Sequence, residues 1–91
     1  MASKLIVKRS IILSETEIID INVWQVLKSK QIPDGIKYSV NYRKLKKDEW
    51  ISKIRVDNSE SKGHHLHIDN KEKDFKFVSI EETIRFILSK R

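Results

Sequence analysis

The sequence of 91 residues has no cysteine, a single proline and two glycines. Without thiols there is no disulfide framework, no thiolate metal site and no cysteine nucleophile. With so little glycine there is no phosphate-cradling loop, and neither Gly-x-Ser-x-Gly nor His-Glu-x-x-His occurs. No run approaches the roughly 20 apolar residues of a membrane span, so no membrane association is expected. Met1-Ala2-Ser3-Lys4 leads straight into an apolar-rich stretch without the architecture of a secretory signal, which points to a cytoplasmic protein. Repeats, low-complexity tracts and linkers are lacking too, so residues 1–91 are expected to form a single domain.

What the chain does have is positive charge in one place. The net charge is +6. Between Lys37 and Arg55 lie Lys37, Arg43, Lys44, Lys46, Lys47, Lys53 and Arg55 against only Asp48 and Glu49, so +5 of the total sits in that segment. A concentrated basic patch attracts phosphate backbones without reading sequence. An acidic protein partner, or a lysine-rich surface that is merely solvated, fits the same charge.

Leu5 to Leu13 and Ile18 to Leu27, dense in Ile and Val, predict two antiparallel strands around a turn at Ser14-Glu15-Thr16. Their imperfect alternation predicts partial cover on both faces. Pro33-Asp34-Gly35 predicts a turn. In Ile36 to Arg43, Ile36, Tyr38, Val40 and Tyr42 share one face, opposite Lys37, Ser39, Asn41 and Arg43. In Trp50 to Asp57, the expected core face is Trp50, Ser52, Ile54 and Val56, and the wet face is Ile51, Lys53, Arg55 and Asp57. Lys44 to Glu49 then connects a hairpin whose wet face carries Lys37, Arg43, Lys53 and Arg55. Asp57 to Gly63 reads as a polar loop, Asp69 to Lys73 as a charged turn, and Asp74 to Val78 as a short last strand. Ser79 and Glu82 form a capping box, and Ile80, Ile84, Ile87 and Leu88 a helical apolar stripe running to the C-terminus. The expected fold is α+β: a mostly antiparallel, twisted sheet of about five strands with one C-terminal helix packed on one face.

All three histidines lie in Gly63-His64-His65-Leu66-His67-Ile68-Asp69. On an extended chain His65 and His67 point to one side, and Leu66 and Ile68 to the other. Asp57 and Asn58 end the preceding strand nearby. Three readings are open. His65 and His67 can serve as general acid and base for RNA cleavage, with Asp57 orienting an imidazole and Arg55, Lys53 or Arg43 holding the phosphate; this needs no metal or other cofactor. The His-x-His pair, joined by Asp57 or Asp69, can instead bind a metal in a hydrolase. Or the histidines bond to Asp57 and Asn58 as scaffolding, in a non-catalytic nucleic-acid-binding module or adaptor. Tyr38, Tyr42 and Trp50 are assigned to the core by the alternation, rather than to base stacking.

The order Gly35-x-Lys37-Tyr38-Ser39, Arg55-Val56-Asp57-Asn58, Lys62-Gly63-His64-His65-Leu66-His67 and Phe77-Val78-Ser79 before a terminal helix resembles the TumE-like toxins of prokaryotic toxin–antitoxin systems. The resemblance spans roughly Gly35 to Leu88. It implies a toxin neutralised by a cognate antitoxin, commonly a small helix-turn-helix protein, and acting on RNA or the ribosome. Asp57, Asn58, His65 and His67 fall on the family's characteristic polar positions. The sequence leaves the oligomeric state open, a homodimer included.

Overall fold

A computed structural model of the chain describes residues 3–30, 32–59 and 63–91. The period-two segments become strands: β1 (Lys4–Ser14), β2 (Glu17–Gln25), β3 (Ile36–Lys46), β4 (Glu49–Ser59), β5 (Gly63–Ile68) and β6 (Lys71–Asp74). They form one antiparallel six-stranded meander in the order β1-β2-β3-β4-β5-β6, followed by helix α1 (Ile80–Lys90). The α+β class and the C-terminal helix are as expected, with one strand more than the sequence suggested. No helix among the described residues is long and apolar enough to cross a membrane.

The extra strand comes from turn chemistry. Asp69 and Asn70 have φ of 51° and 61°, and Lys47 and Asp48 have φ of 48° and 65°. Two consecutive left-handed residues make the tight hairpin turn that matches strand twist. Residues 71–73 of the expected charged turn, with Asp74, therefore fold back onto β5 as β6, while residues 75–79 of the expected last strand carry no strand ladder. Lys44 to Glu49 likewise shortens from a loop to a two-residue turn, with β3 running to Lys46. β4 extends to Ser59 and β5 starts at Gly63, so both ends of the expected polar loop are strand; its remaining residues 60–62 lie outside the described residues.

Between Tyr42 and Arg43 the β3–β4 register slips: Tyr42 opposes Ile54 but Arg43 opposes Ser52. The extra residue, Lys53, makes a bulge. Trp50 and Ser52, expected beside Ile54 and Val56, are turned onto the polar face instead. There Ser52 Oγ bonds Asn41 Oδ1 at 2.6 Å, and the Arg43 guanidinium lies 5.8 Å from the Trp50 ring centre. A period-two count cannot see one inserted residue.

The core lies between the helix and the other face. Ile19, Ile21, Tyr38, Val40, Tyr42, Ile54, Val56, Leu66 and Ile87 are buried together, with Ile80, Ile84 and Leu88 packed against them. Ser79 Oγ accepts from Glu82 N at 3.1 Å and fixes the helix start. β1 departs from the expected cover on both faces: Leu5, Ile6, Val7 and Ile12 are exposed, and two register irregularities account for its broken alternation. The link from β2 to β3 needs Gly35. Its φ is 71°, and a Cβ there would meet Val26 O at 2.8 Å.

Glu17 joins β2 to β3 and to the chain end. The Tyr42 hydroxyl donates to Glu17 Oε2 at 2.5 Å, and Arg91 Nη1 lies 3.2 Å from the same oxygen. The Tyr42 bond, helped by Ser14 and Arg91, holds the Glu17 carboxyl below its ordinary value. A depressed carboxyl stabilises fully above its unfolded pKa and loses that contribution as pH falls through the folded one. Glu17→Gln should therefore be less stable than wild type at neutral pH, and the gap should close as pH falls through the folded carboxyl's pKa, in paired urea titrations. Ile87 is fully buried; Ile87→Ala should cost about 3 kcal/mol by the usual price of a core cavity, read from the same titrations.

Candidate functional site

Antiparallel pairing of β4 with β5 decides which polar residues meet. Arg55 opposes His67 and Asp57 opposes His65; Val56 opposes Leu66 and Asn58 opposes His64. The first two pairs lie on the polar face and the last two on the helix face. β6 continues the pattern, with Asp74 opposite His65 and Glu72 opposite His67.

Asp57 is the hub of the polar cluster. Its Oδ2 lies 3.0 Å from Arg55 Nε, and its Oδ1 lies 2.8 Å from His65 Nε2 and 3.8 Å from His67 Nε2. The two imidazoles meet edge to face with centres 4.6 Å apart. They are not equivalent. The His65 side chain is 8% exposed, and its Nδ1 lies 3.0 Å from Gly63 O. A carbonyl oxygen only accepts, so Nδ1 carries the hydrogen and Nε2 turns to Asp57. His67 is 29% exposed, and its Nδ1 is 3.9 Å from Glu72 Oε2. Burial first, then the neighbouring Arg55, lowers the His67 pKa against the opposing pull of Asp57. The neutral ring is thereby favoured, the form that accepts a proton or coordinates a cation. Among the described residues Asp57 Oδ1 and His67 Nε2 are buried without an aligned hydrogen bond. Among the described residues Asp57, His65 and His67 could together hold a metal ion, with one ligand atom from each and all three within 4.8 Å of one another.

His67 borders an open groove of about 530 Å³, lined also by Ser52, Lys53, Asp69, Asn70, Lys71 and Glu72. A second groove of about 490 Å³ on the same face runs toward β1, past Lys8, Asn22, Trp24, Asn41 and Arg43. Of the four cations expected to hold phosphate, two have carboxylate partners: Arg55 on Asp57, and Arg43 on Asp20 at 2.5 Å. Lys37 and Lys53 are exposed. The face is therefore less positive than the segment's charge suggests.

Asn58 stands apart from this cluster. It is 4% exposed. Its Oδ1 accepts from Tyr38 N at 2.9 Å and its Nδ2 donates to Ile36 O at 2.9 Å, so it completes the β3 backbone where β4 no longer pairs with it. His64 is also on the helix face. Its Nδ1 lies 2.8 Å from the Tyr38 hydroxyl, and its ring stacks on Phe77 at 5.1 Å. Burial, and then Asp57, pushes the Tyr38 hydroxyl well above the usual phenol range, so it keeps its proton.

A family model described as Toxin TumE matches residues 2–90. The chain belongs to the TumE toxin family. It is thus the toxin component of a toxin–antitoxin system, with a cognate antitoxin as partner. The match takes in the first two strands as well as the motifs from Gly35 onward. No curated protein and no solved structure matches the chain significantly.

In this TumE-family toxin the sequence reading missed Glu72, Ser52 and Lys71 beside His67. Glu72 alternates with Asp74 as His65 does with His67, but the signal shows only once Lys71–Asp74 is known to be a strand. Asn58→Ala would strip two buried backbone groups of their partners, at roughly 1–3 kcal/mol for each group left unsatisfied. A drop of about 2–6 kcal/mol in denaturant-derived stability is expected; Asp57→Asn, on the wetter face, should cost less in the same assay.

Proposed function

We propose that this toxin acts in the cytoplasm on RNA, free or on the ribosome, and cleaves it without a metal beside His67. The observation that carries the reading is the convergence of His67, His65, Asp57 and Arg55 on the sheet face opposite α1, next to a groove that also holds Lys53 and Lys71. Metal-free RNA cleavage needs a base, an acid and a cation. The base takes the 2′-hydroxyl proton, the 2′-oxygen attacks phosphorus, and the 5′-oxygen leaves with a proton from the acid, giving a cyclic phosphate. His67 is the group at the groove that exchanges the proton. His65, held by Gly63 O and Asp57, is the second proton-carrying group. Lys53 and the Arg55 guanidinium neutralise the phosphate, and Lys37 and Arg43 extend the path of the strand across the sheet. Asn58 belongs to the scaffold in this reading. The antitoxin is a small helix-turn-helix protein, as the family resemblance implies.

The deep placement of His65, at 8% exposure, favours a second reading in which the toxin binds RNA without cutting it. Incubation with total RNA and with ribosomes, in chelator, separates the two. Wild type should yield discrete products, and His67→Ala should lower the rate by about a hundredfold or more, the usual worth of a general acid or base. Salt-sensitive binding without product, unchanged in His67→Ala and lost in Lys53→Ala, would establish the binding reading instead.

A further inference from the structure

We infer that Asp57 Oδ1, His65 Nε2 and His67 Nε2 form a binding site for a zinc-class divalent cation, whose occupation withdraws both histidines from proton transfer. The site itself stands independently of the RNA reading; only its effect on cleavage rests on it.

Three groups able to ligate a metal lie together, with one ligand atom from each and all within 4.8 Å of one another. His65 gives its Nδ1 hydrogen to Gly63 O, 3.0 Å away, which leaves Nε2 as its donor atom toward Asp57. A ring nitrogen fixed by a hydrogen bond through the other nitrogen is the usual arrangement of a metal-binding histidine. Asp57 is oriented in the same sense: Arg55 holds Oδ2 at 3.0 Å, leaving Oδ1 to face the rings. His67 presents Nε2 to Oδ1, while its Nδ1 lies 3.9 Å from the Glu72 carboxylate.

Ligand atoms about 2.0–2.1 Å from a tetrahedral ion stand roughly 3.3 Å apart. The observed separations of 2.8 and 3.8 Å from Oδ1 to the two nitrogens bracket that value. A proton between His65 and Asp57 would satisfy those two groups and still leave His67 Nε2 buried with no aligned partner. One cation satisfies all three. Two imidazoles and one carboxylate select a zinc-class ion over calcium or magnesium, which prefer oxygen. Arg55 opposes the added charge, while Glu72 and Asp74, opposite His67 and His65 on β6, offset it.

The site sits on paired strands, so no loop has to close to form it. His-x-His places both rings on one face of β5, and the register supplies Asp57 from β4. His64, on the other face, takes no part.

The test titrates chelator-stripped full-length protein with zinc by calorimetry and with cobalt(II) by visible absorption. Wild type should bind one ion per chain and show the intense bands of a low-coordinate cobalt site. Loss of an outer-shell partner typically weakens metal binding 10- to 100-fold, so removing a ligand in His67→Ala or Asp57→Asn should cost at least about a hundredfold. His64→Gln should bind as wild type does. Circular dichroism of each variant separates loss of a ligand from loss of fold. Absence of binding by folded wild type, or equal binding by wild type and folded His67→Ala, would overturn the site. Zinc should also suppress RNA cleavage in proportion to occupancy, and cleavage that requires zinc would overturn the antagonism while leaving the site. Binding with no RNA product under any condition would sink the nuclease reading and spare the metal site.

Discussion

Asp57 and His65 face each other across β4 and β5, and the rest of the polar cluster depends on that pairing. Side chains alternate with period two, so a slip of one residue would exchange the faces of a whole strand. In the observed register Val56 and Leu66 enter the core while Asp57, His65, Arg55 and His67 gather on the open side. The same apolar packing that holds the helix to the sheet therefore fixes which polar groups meet. Asn58 reinforces it: buried at the end of the β3–β4 pairing, it bonds the β3 backbone at two points and locks the strands where the cluster begins.

Much of this was legible from residue types alone. The alternation of Tyr38, Val40 and Tyr42 with Lys37, Ser39 and Asn41 marks β3 and its buried face, and Ser79 with Glu82 marks the helix start. The spacing of His65 and His67 puts them on one side together. Three things were not legible, each for its own physical reason. The Lys53 bulge turns Trp50 and Ser52 outward, and a bulge depends on how two strands meet. β6 has four charged residues and no apolar signal; it is a strand because the turn at Asp69 and Asn70 returns the chain alongside β5. Asn58 follows Asp57 directly, and sequence proximity suggested a shared site, yet adjacent strand residues point to opposite faces.

Charge needs the same attention to placement. The basic segment supplies most of the net charge, but Arg43 and Arg55 are tied to Asp20 and Asp57 on the polar face. Paired guanidiniums still offer donors to a phosphate, at the cost of competing with a carboxylate already in place. What reaches out freely is lysine, at Lys37 and Lys53. Lysine is a flexible point charge suited to following a backbone. On the proposed RNA reading, the shape of the groove beside His67 is then the main source of selectivity among sites.

The two proposed uses of the cluster pull on Asp57 in opposite directions. For RNA cleavage a phosphate approaches Arg55 and Lys53, and a carboxylate nearby repels it; Asp57 is tolerable there because Arg55 already covers one of its oxygens and His65 stands against the other. For a cation the lone pairs without an aligned hydrogen bond are what attract, and Arg55 is the group that repels. A site balanced in this way has no strong preference in net charge, so the deciding quantity is which lone pairs are occupied. With His67 Nε2 unpartnered among the described residues, the cluster keeps one site for either a proton or a metal ion. Proton transfer needs that site to exchange rapidly, and a bound metal would hold it, so the uses exclude each other on one molecule.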